Sequence, residues 1–385
     1  MTTIDSATLR SHYTAFLRPD RVLLTGHSHQ AWPDIARDAL TECFDDAALH
    51  VDDKWGAAFA VADEVRAGIA SALGGRARDY ALDGNTHALV TRFLSALPLR
   101  TRRHIVTTAG EFHTLHRQLR RLAEEGVRVT FIDPSPVDTL AARLTAAVTA
   151  DTAAVLCSSV LFETSSVVPG LGDLAARCRA HGVPLLVDTY HHFGALPFDR
   201  AALGDEVFVL GGGYKYAQWG EGVCFLGVPP GCDFRPVVTG WFADFAHLAD
   251  RRTDTPVGYG DDGADRFAGA TYDPLSHYRA RAVLRFFAAQ GMTPSALRAC
   301  SLRQTAQIFT WADKLGLDVA TPRAEDRRGG FVSVRLQDTG AATEALAAQG
   351  IRVDARGDLL RLGPAPYSTD GEIDRAMKAL GTWVQ

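Results

Sequence analysis

The sequence predicts an α/β fold, with a large domain built on a mostly parallel sheet and a smaller α+β domain at the C-terminal end. Three observations predict it. Strand-like runs alternate with helical segments between residues 104 and 213. Those runs are apolar throughout, the pattern of strands covered on both faces. Past residue 276 the pattern changes to a long helical stretch, then short strands and a closing helix. At 385 residues the chain is also too long for one small core.

Taken in order, residues 54–73 have helical periodicity and stop at Gly74-Gly75. DYALDGNTHALVTRFLSAL follows as a short extended piece, a polar turn and an amphipathic helix with Leu89, Phe93, Leu94 and Leu97 inward. Strands are predicted at 104–108, 127–133, 153–162, 183–190 and 207–213, with helices at 137–149 and 171–181 between them. SHYRARAVLRFFAAQ opens the C-terminal helical stretch, and GGFVSVRL restarts a strand pattern at 329–336. The expected division is 1–50 as a segment packing with the small domain, 51–275 as the large domain and 276–385 as the small one.

Composition narrows the function. Apolar residues make up 46% and charged residues 22%, with a net charge of −5. Lys and Arg are scattered, so neither a nucleic acid nor a membrane surface is expected as partner. The six cysteines are widely spaced without a CxxC pair and read as buried free thiols of a reducing compartment. No signal pattern opens the chain and no apolar run reaches spanning length, so a cytoplasmic enzyme is expected.

In parallel sheets ligands sit at the carboxyl ends of the strands. Lys215 follows such a strand and three glycines, in Gly211-Gly212-Gly213-Tyr214-Lys215. Glycines admit a ligand close to the backbone, and a lysine held there can be desolvated into a nucleophile. Asp188 ends the strand PLLVD. An amine and an acid at adjacent strand ends are what pyridoxal-5′-phosphate (PLP) requires: one carries the aldehyde, the other keeps the pyridine nitrogen protonated. Gly84-Asn85-Thr86-His87 opens a helix whose free N–H groups and dipole favour a phosphate, and Phe112 is placed to stack on the ring. Gly170-Leu171-Gly172-Asp173-Leu174-Ala175 matches a dinucleotide fingerprint, but Ser165 to Pro169 separate it from the preceding strand. Histidines at 27, 29, 87, 113, 116, 191 and 192 suggest a polar, hydrogen-bonding pocket, with His27 and His29 as substrate contacts. His27 and His29 lack a third ligand at suitable spacing, and no metal is expected.

These residues, in this order, resemble the kynureninase branch of the aminotransferase class V, fold-type I PLP-dependent enzymes. The resemblance runs from about residue 22 to the C-terminus and is strongest in VDTYHHFGALPFDRAALGDEVFVLGGGYKY, VTGWFADF and LLRLGPAPY. It implies the fold-type I transferase fold, Lys215 as the Schiff-base lysine and Asp188 as the pyridinium partner. It further implies His191 near the phenolic oxygen, Phe112 on the ring, Thr86 and Tyr214 on the phosphate, and Tyr214 as a proton relay. Trp241 and Thr271 would reach the phosphate region from the partner subunit of a homodimer, and Arg361 would clamp the carboxylate of a small amino-acid substrate.

The departures are local. The family's Gly-Asn-Ser-Leu-Gly is Gly26-His27-Ser28-His29-Gln30 here, and its aspartate near the ring is lost in Phe112-His113-Thr114-Leu115. Thr271 stands where the family holds its aromatic substrate with Asn, and Glu163-Thr164-Ser165 replaces Tyr-Thr-Gly. A kynureninase-like C–C hydrolase or lyase working through a Cα carbanion with a modified pocket is therefore expected. The alternatives are a C–S β-lyase acting on a cysteine S-conjugate, a class V aminotransferase, and a non-catalytic PLP-fold binding module.

Overall fold

A computed structural model gives the fold and describes residues 4–251 and 256–384. A short helix α1 (Ser6–Leu9) and strand β1 (Val22–Leu23) precede two long helices, α2 (Ile35–His50) and α3 (Lys54–Leu73). The large sheet comprises β2 (Tyr80–Asp83), β3 (His104–Thr108), β4 (Arg128–Ile132), β5 (Thr152–Ser158), β6 (Leu185–Asp188), β7 (Phe208–Gly212) and β8 (Cys224–Gly227). Helices α4 (Thr86–Ala96), α5 (His113–Glu124), α6 (Leu140–Ala147) and α7 (Leu171–Ala180) connect them. Across the sheet the order is β2-β8-β7-β6-β5-β3-β4. Strand β8 is antiparallel to both neighbours, and every other pairing is parallel. This is a fold-type I sheet, as expected.

Apolar strands covered on both sides make two cores. Val155, Val187 and Val209 face α3, α6 and α7, while Leu156, Leu186 and Leu210 face α4 and α5. The cysteines are free; Cys232 is half-buried and the other five are buried. No helix among the described residues is long and apolar enough to cross a membrane.

The rest of the chain runs through α8 (Leu275–Ala289), α9 (Pro294–Leu315), β9 (Asp318–Val319), β10 (Val332–Arg335), α10 (Thr339–Ala348), β11 (Ile351–Arg352), β12 (Asp354–Arg356), β13 (Leu359–Leu362) and α11 (Asp370–Val384). Helix α9 has clear local causes. Thr293 caps it through Ala296 N at 3.2 Å, Pro294 occupies its first turn, and Gly316 ends it at φ +65°. A second sheet in the order β12-β13-β10-β9 packs on α9 and α11. Strand β1 pairs in parallel with β11, and Val22 and Leu24 join this C-terminal core. Helix α8 lies on α2 and α3 instead, contributing Ala280 and Val283 to the core of the large sheet.

One expectation needs correction. The strand expected to run to 162 ends at Ser158. Its chain then turns back, with Leu161 N–H donating to Ser166 O at 2.9 Å and Ser165 at φ +62°. The three glycines before Lys215 are closely packed by neighbouring side chains. A Cβ on Gly211 would meet Phe225 and Thr189, one on Gly212 Tyr190 and Cys224, and one on Gly213 the buried indole of Trp219. They make room for neighbouring side chains. Because an indole cannot fold away like a flexible tail, Gly213→Ala is expected to cost about 1–3 kcal/mol of overpacking. Urea denaturation checks this, and a variant as stable as the parent would contradict it.

Candidate active site

The carboxyl ends of β6 and β7 lie side by side, with Asp188 paired in register with Leu210. Asp188 therefore projects at one strand end, and Gly213-Tyr214-Lys215 leave the neighbouring one. A cavity of about 300 Å³ opens above them. Its lining includes Asn85, Thr86, Phe112, Asp188, His191, Tyr214 and Lys215. Seven predicted site residues, scattered over some 130 positions of sequence, thus meet in one place.

Lys215 is buried, and its Nζ donates to His191 Nε2 at 2.8 Å. Aromatic rings surround it, with centroids of Tyr190 at 4.6 Å, Phe112 at 5.3 Å and Tyr214 at 5.7 Å. Loss of water pushes its pKa down to about 7, against the attraction of Asp188. Lys215 thus gives up its proton more readily than a solvated lysine. Burial, reinforced by the Lys215 charge, holds His191 neutral by keeping its pKa well below the usual imidazole value. Burial also raises the pKa of Asp188, whose Oδ1 accepts the Tyr190 N–H at 2.7 Å. Tyr214 is raised to about 12 by burial, so it stays a hydroxyl donor at neutral pH.

Asn85 caps α4, accepting Ala88 N–H at 2.9 Å, so the first turn of that helix faces the cavity. Its free N–H groups, Thr86 and the Tyr214 hydroxyl suit a phosphate. Asp188 lies deep but keeps part of its surface open to the cavity, ready for a protonated ring nitrogen. His191 Nδ1 is a buried polar atom without a partner. Amine, acid, anion cradle and aromatic faces fit PLP.

Five predicted residues lie outside this cavity. His27 is fully buried, stacked on Phe331 at 4.6 Å, and its Nε2–H donates to Asp354 Oδ1 at 2.7 Å. His29 is exposed, with its ring 5.2 Å from that of Tyr214 and 3.8 Å from Glu221. Arg361 is 2% exposed and forks onto Asp354 rather than standing free. Trp241 is 40% exposed, and Thr271 lines a separate, larger cleft that shares Gly84, Glu221 and Gly222 with the first.

Three residues were missed. Tyr190 and Cys224 line the cavity, with the Tyr190 hydroxyl 3.7 Å from Cys224 Sγ. Tyr190 lies two residues after Asp188, and that spacing was its one signal. Glu111 is buried beneath the site and accepts Ser158 N–H at 2.8 Å and Ser158 Oγ–H at 2.7 Å. Its place just past the end of β3 and directly before Phe112 could have flagged it.

Comparison with known proteins fits this geometry. A family model described as the kynureninase C-terminal domain matches residues 297–380. A kynureninase of Salinispora tropica is 31% identical over 335 residues, spanning 78% of this chain and 74% of its own length. A kynureninase of Pseudomonas fluorescens is 28% identical over 342 residues, spanning 82% and 79%. A solved structure of C-DES with glycine covalently linked to its PLP cofactor superposes with a TM-score of 0.85 at 19% identity, covering 97% of this chain and 98% of that one. Fold and donor set together define an enzyme of the class V, fold-type I PLP-dependent group. Within it, the chain belongs to the kynureninase family, and PLP is the cofactor its cavity fits.

Burial raises the Glu111 carboxyl to a pKa of about 8, above its ordinary 4.5. The folded protein therefore keeps a proton that the unfolded chain releases between those values. Glu111 thus costs stability as pH rises through that window, by about 1.4 kcal/mol per unit. Glu111→Gln removes the effect, so the variant should gain on the parent from pH 5 to pH 8 in urea unfolding. A pH-independent difference would contradict the assignment.

Proposed function

We propose that this chain is a hydrolase of the kynureninase type, which cleaves the Cβ–Cγ bond of a γ-oxo-α-amino acid and releases alanine. The observation that carries the reading is a buried lysine, its Nζ 2.8 Å from His191 Nε2, set in a cavity beside a strand-end aspartate. Family membership supports the same reaction class. Atoms balance with one water: the γ-carbonyl carbon leaves as a carboxylic acid, and the three-carbon remainder takes a proton to become alanine.

The chain's own groups divide the work. Bound PLP supplies the electron sink that stabilises negative charge at the substrate Cα. Asp188 would keep a proton on the ring nitrogen, and burial would strengthen that pairing. Phe112 would cover the ring, while Thr86, the first turn of α4 and Tyr214 would hold the phosphate. Lys215 Nζ would hold the cofactor's aldehyde and, as a neutral amine, would take the substrate Cα proton. His191 accepts from that nitrogen and keeps it aimed into the cavity. Tyr214, a donor at neutral pH, returns a proton. Arg361 binds the substrate carboxylate. Thr271 and the Phe112-His113-Thr114-Leu115 stretch point to a substrate other than a plain anthraniloyl one.

Lys215→Ala should abolish turnover, and borohydride treatment of the parent holoenzyme should leave the cofactor's mass on Lys215. Turnover at the parent rate in the variant would refute the assignment. Kynurenine, 3-hydroxykynurenine and cysteine S-conjugates should be offered in parallel. Alanine release supports C–C hydrolysis, whereas pyruvate release supports β-elimination from a sulfur leaving group.

The reading also includes a homodimer. Trp241, Phe245 and Leu248 form an exposed apolar strip, 40%, 43% and 57% accessible, beside the larger cleft. Two copies pairing there would cover it and bring Trp241 and Thr271 toward each other's sites. Sedimentation should give a dimer for the parent and a monomer for Trp241→Glu; a monomeric parent would remove the pairing.

A further inference from the structure

Asp354 stands directly opposite Arg361 across β12 and β13. Its carboxylate accepts Arg361 Nε–H at 2.8 Å and Nη2–H at 2.5 Å. His27 Nε2–H adds a third bond at 2.7 Å, from a ring with no access to solvent. Arg361 Nη1 donates to the Phe162 carbonyl at 2.6 Å. A guanidinium has five N–H donors. Three are committed, which leaves one on each terminal nitrogen. Two N–H groups on the terminal nitrogens are what a carboxylate needs for two bonds.

We propose that Asp354, steadied by His27, is a positioning residue that turns the tip of Arg361 toward the substrate carboxylate. The inference rests on the reading of Arg361 as the carboxylate contact. Two facts set Asp354 apart from an ordinary ion pair. Arg361 is 2% exposed, so without a counter-charge it would be an uncompensated buried cation. Cross-strand register also makes Asp354 the residue facing it, so aim and charge balance come from one side chain. Arg356, 3.7 Å from Asp354, keeps the cluster net positive with both carboxylate bonds made, so a second anion is still attracted. His27 belongs to the N-terminal segment and Asp354 to the C-terminal sheet, so the aim of Arg361 depends on both chain ends packing together.

The test uses the PLP-loaded enzyme titrated with L-alanine and, separately, with L-alaninamide, which lacks the carboxylate, while cofactor absorbance is followed. Asp354→Asn is expected to weaken L-alanine binding roughly tenfold to a hundredfold, the size of a lost charge-assisted pair. L-Alaninamide should be held about as before, and Asp354→Glu should restore part of the loss. In Arg361→Lys the alanine preference should fall similarly, and adding Asp354→Asn to it should weaken binding little further, since the aspartate acts through the arginine. If Asp354→Asn and Asp354→Glu bind L-alanine as the parent does while Arg361→Lys does not, the positioning role is overturned and the arginine contact stands. Equal weakening of both ligands would overturn it too, as the mark of general damage. If Arg361→Lys itself leaves L-alanine binding intact, the carboxylate contact falls and takes the inference with it.

Discussion

Taking an amine out of water is the constraint from which the site follows. A lysine at the end of β7 would ordinarily be charged and solvated, yet Lys215 is 5% exposed and ringed by Tyr190, Phe112 and Tyr214. Desolvation makes it available as a base and nucleophile near neutral pH. The same low-polarity surroundings strengthen Asp188 against any positive charge on a bound ring. Parallel strands make this possible, because helices cover both faces of the sheet and leave only the strand ends open.

Around that centre, buried groups are arranged to be neutral. His191 is held uncharged beside Lys215, and His27 is kept neutral by burial, its pKa lowered to about 4 even with an aspartate on its Nε2. Glu111 retains its proton to about pH 8. A separate charged cluster joins Asp354 to Arg361 and Arg356. Such a separation suits an enzyme whose cofactor needs a dry, adjustable floor while its substrate brings a fixed negative charge.

Much of this was legible beforehand because it is local in sequence. The helix at 54–73 and the strand at 104–108 fell where periodicity put them, since burial on a known period needs no distant partner. Asp188, Lys215, Phe112 and the α4 turn were readable as strand and helix ends carrying reactive residues. Where the reading failed, the cause was packing. The strand expected to run to 162 ended at Ser158 because its chain folds back on Ser166.

From the sequence alone came the parallel-sheet architecture, the amine and acid at two strand ends, and the family. Each was read from short local runs and motifs along the chain. Only the tertiary structure decided the partners of the functional groups. His27 and Asp354 are 327 positions apart, and Arg361 reaches back 199 positions to the Phe162 carbonyl. No local period encodes such pairs. They exist because β1 docks on β11, bringing the N-terminal segment against the C-terminal sheet, and because register sets Asp354 opposite Arg361.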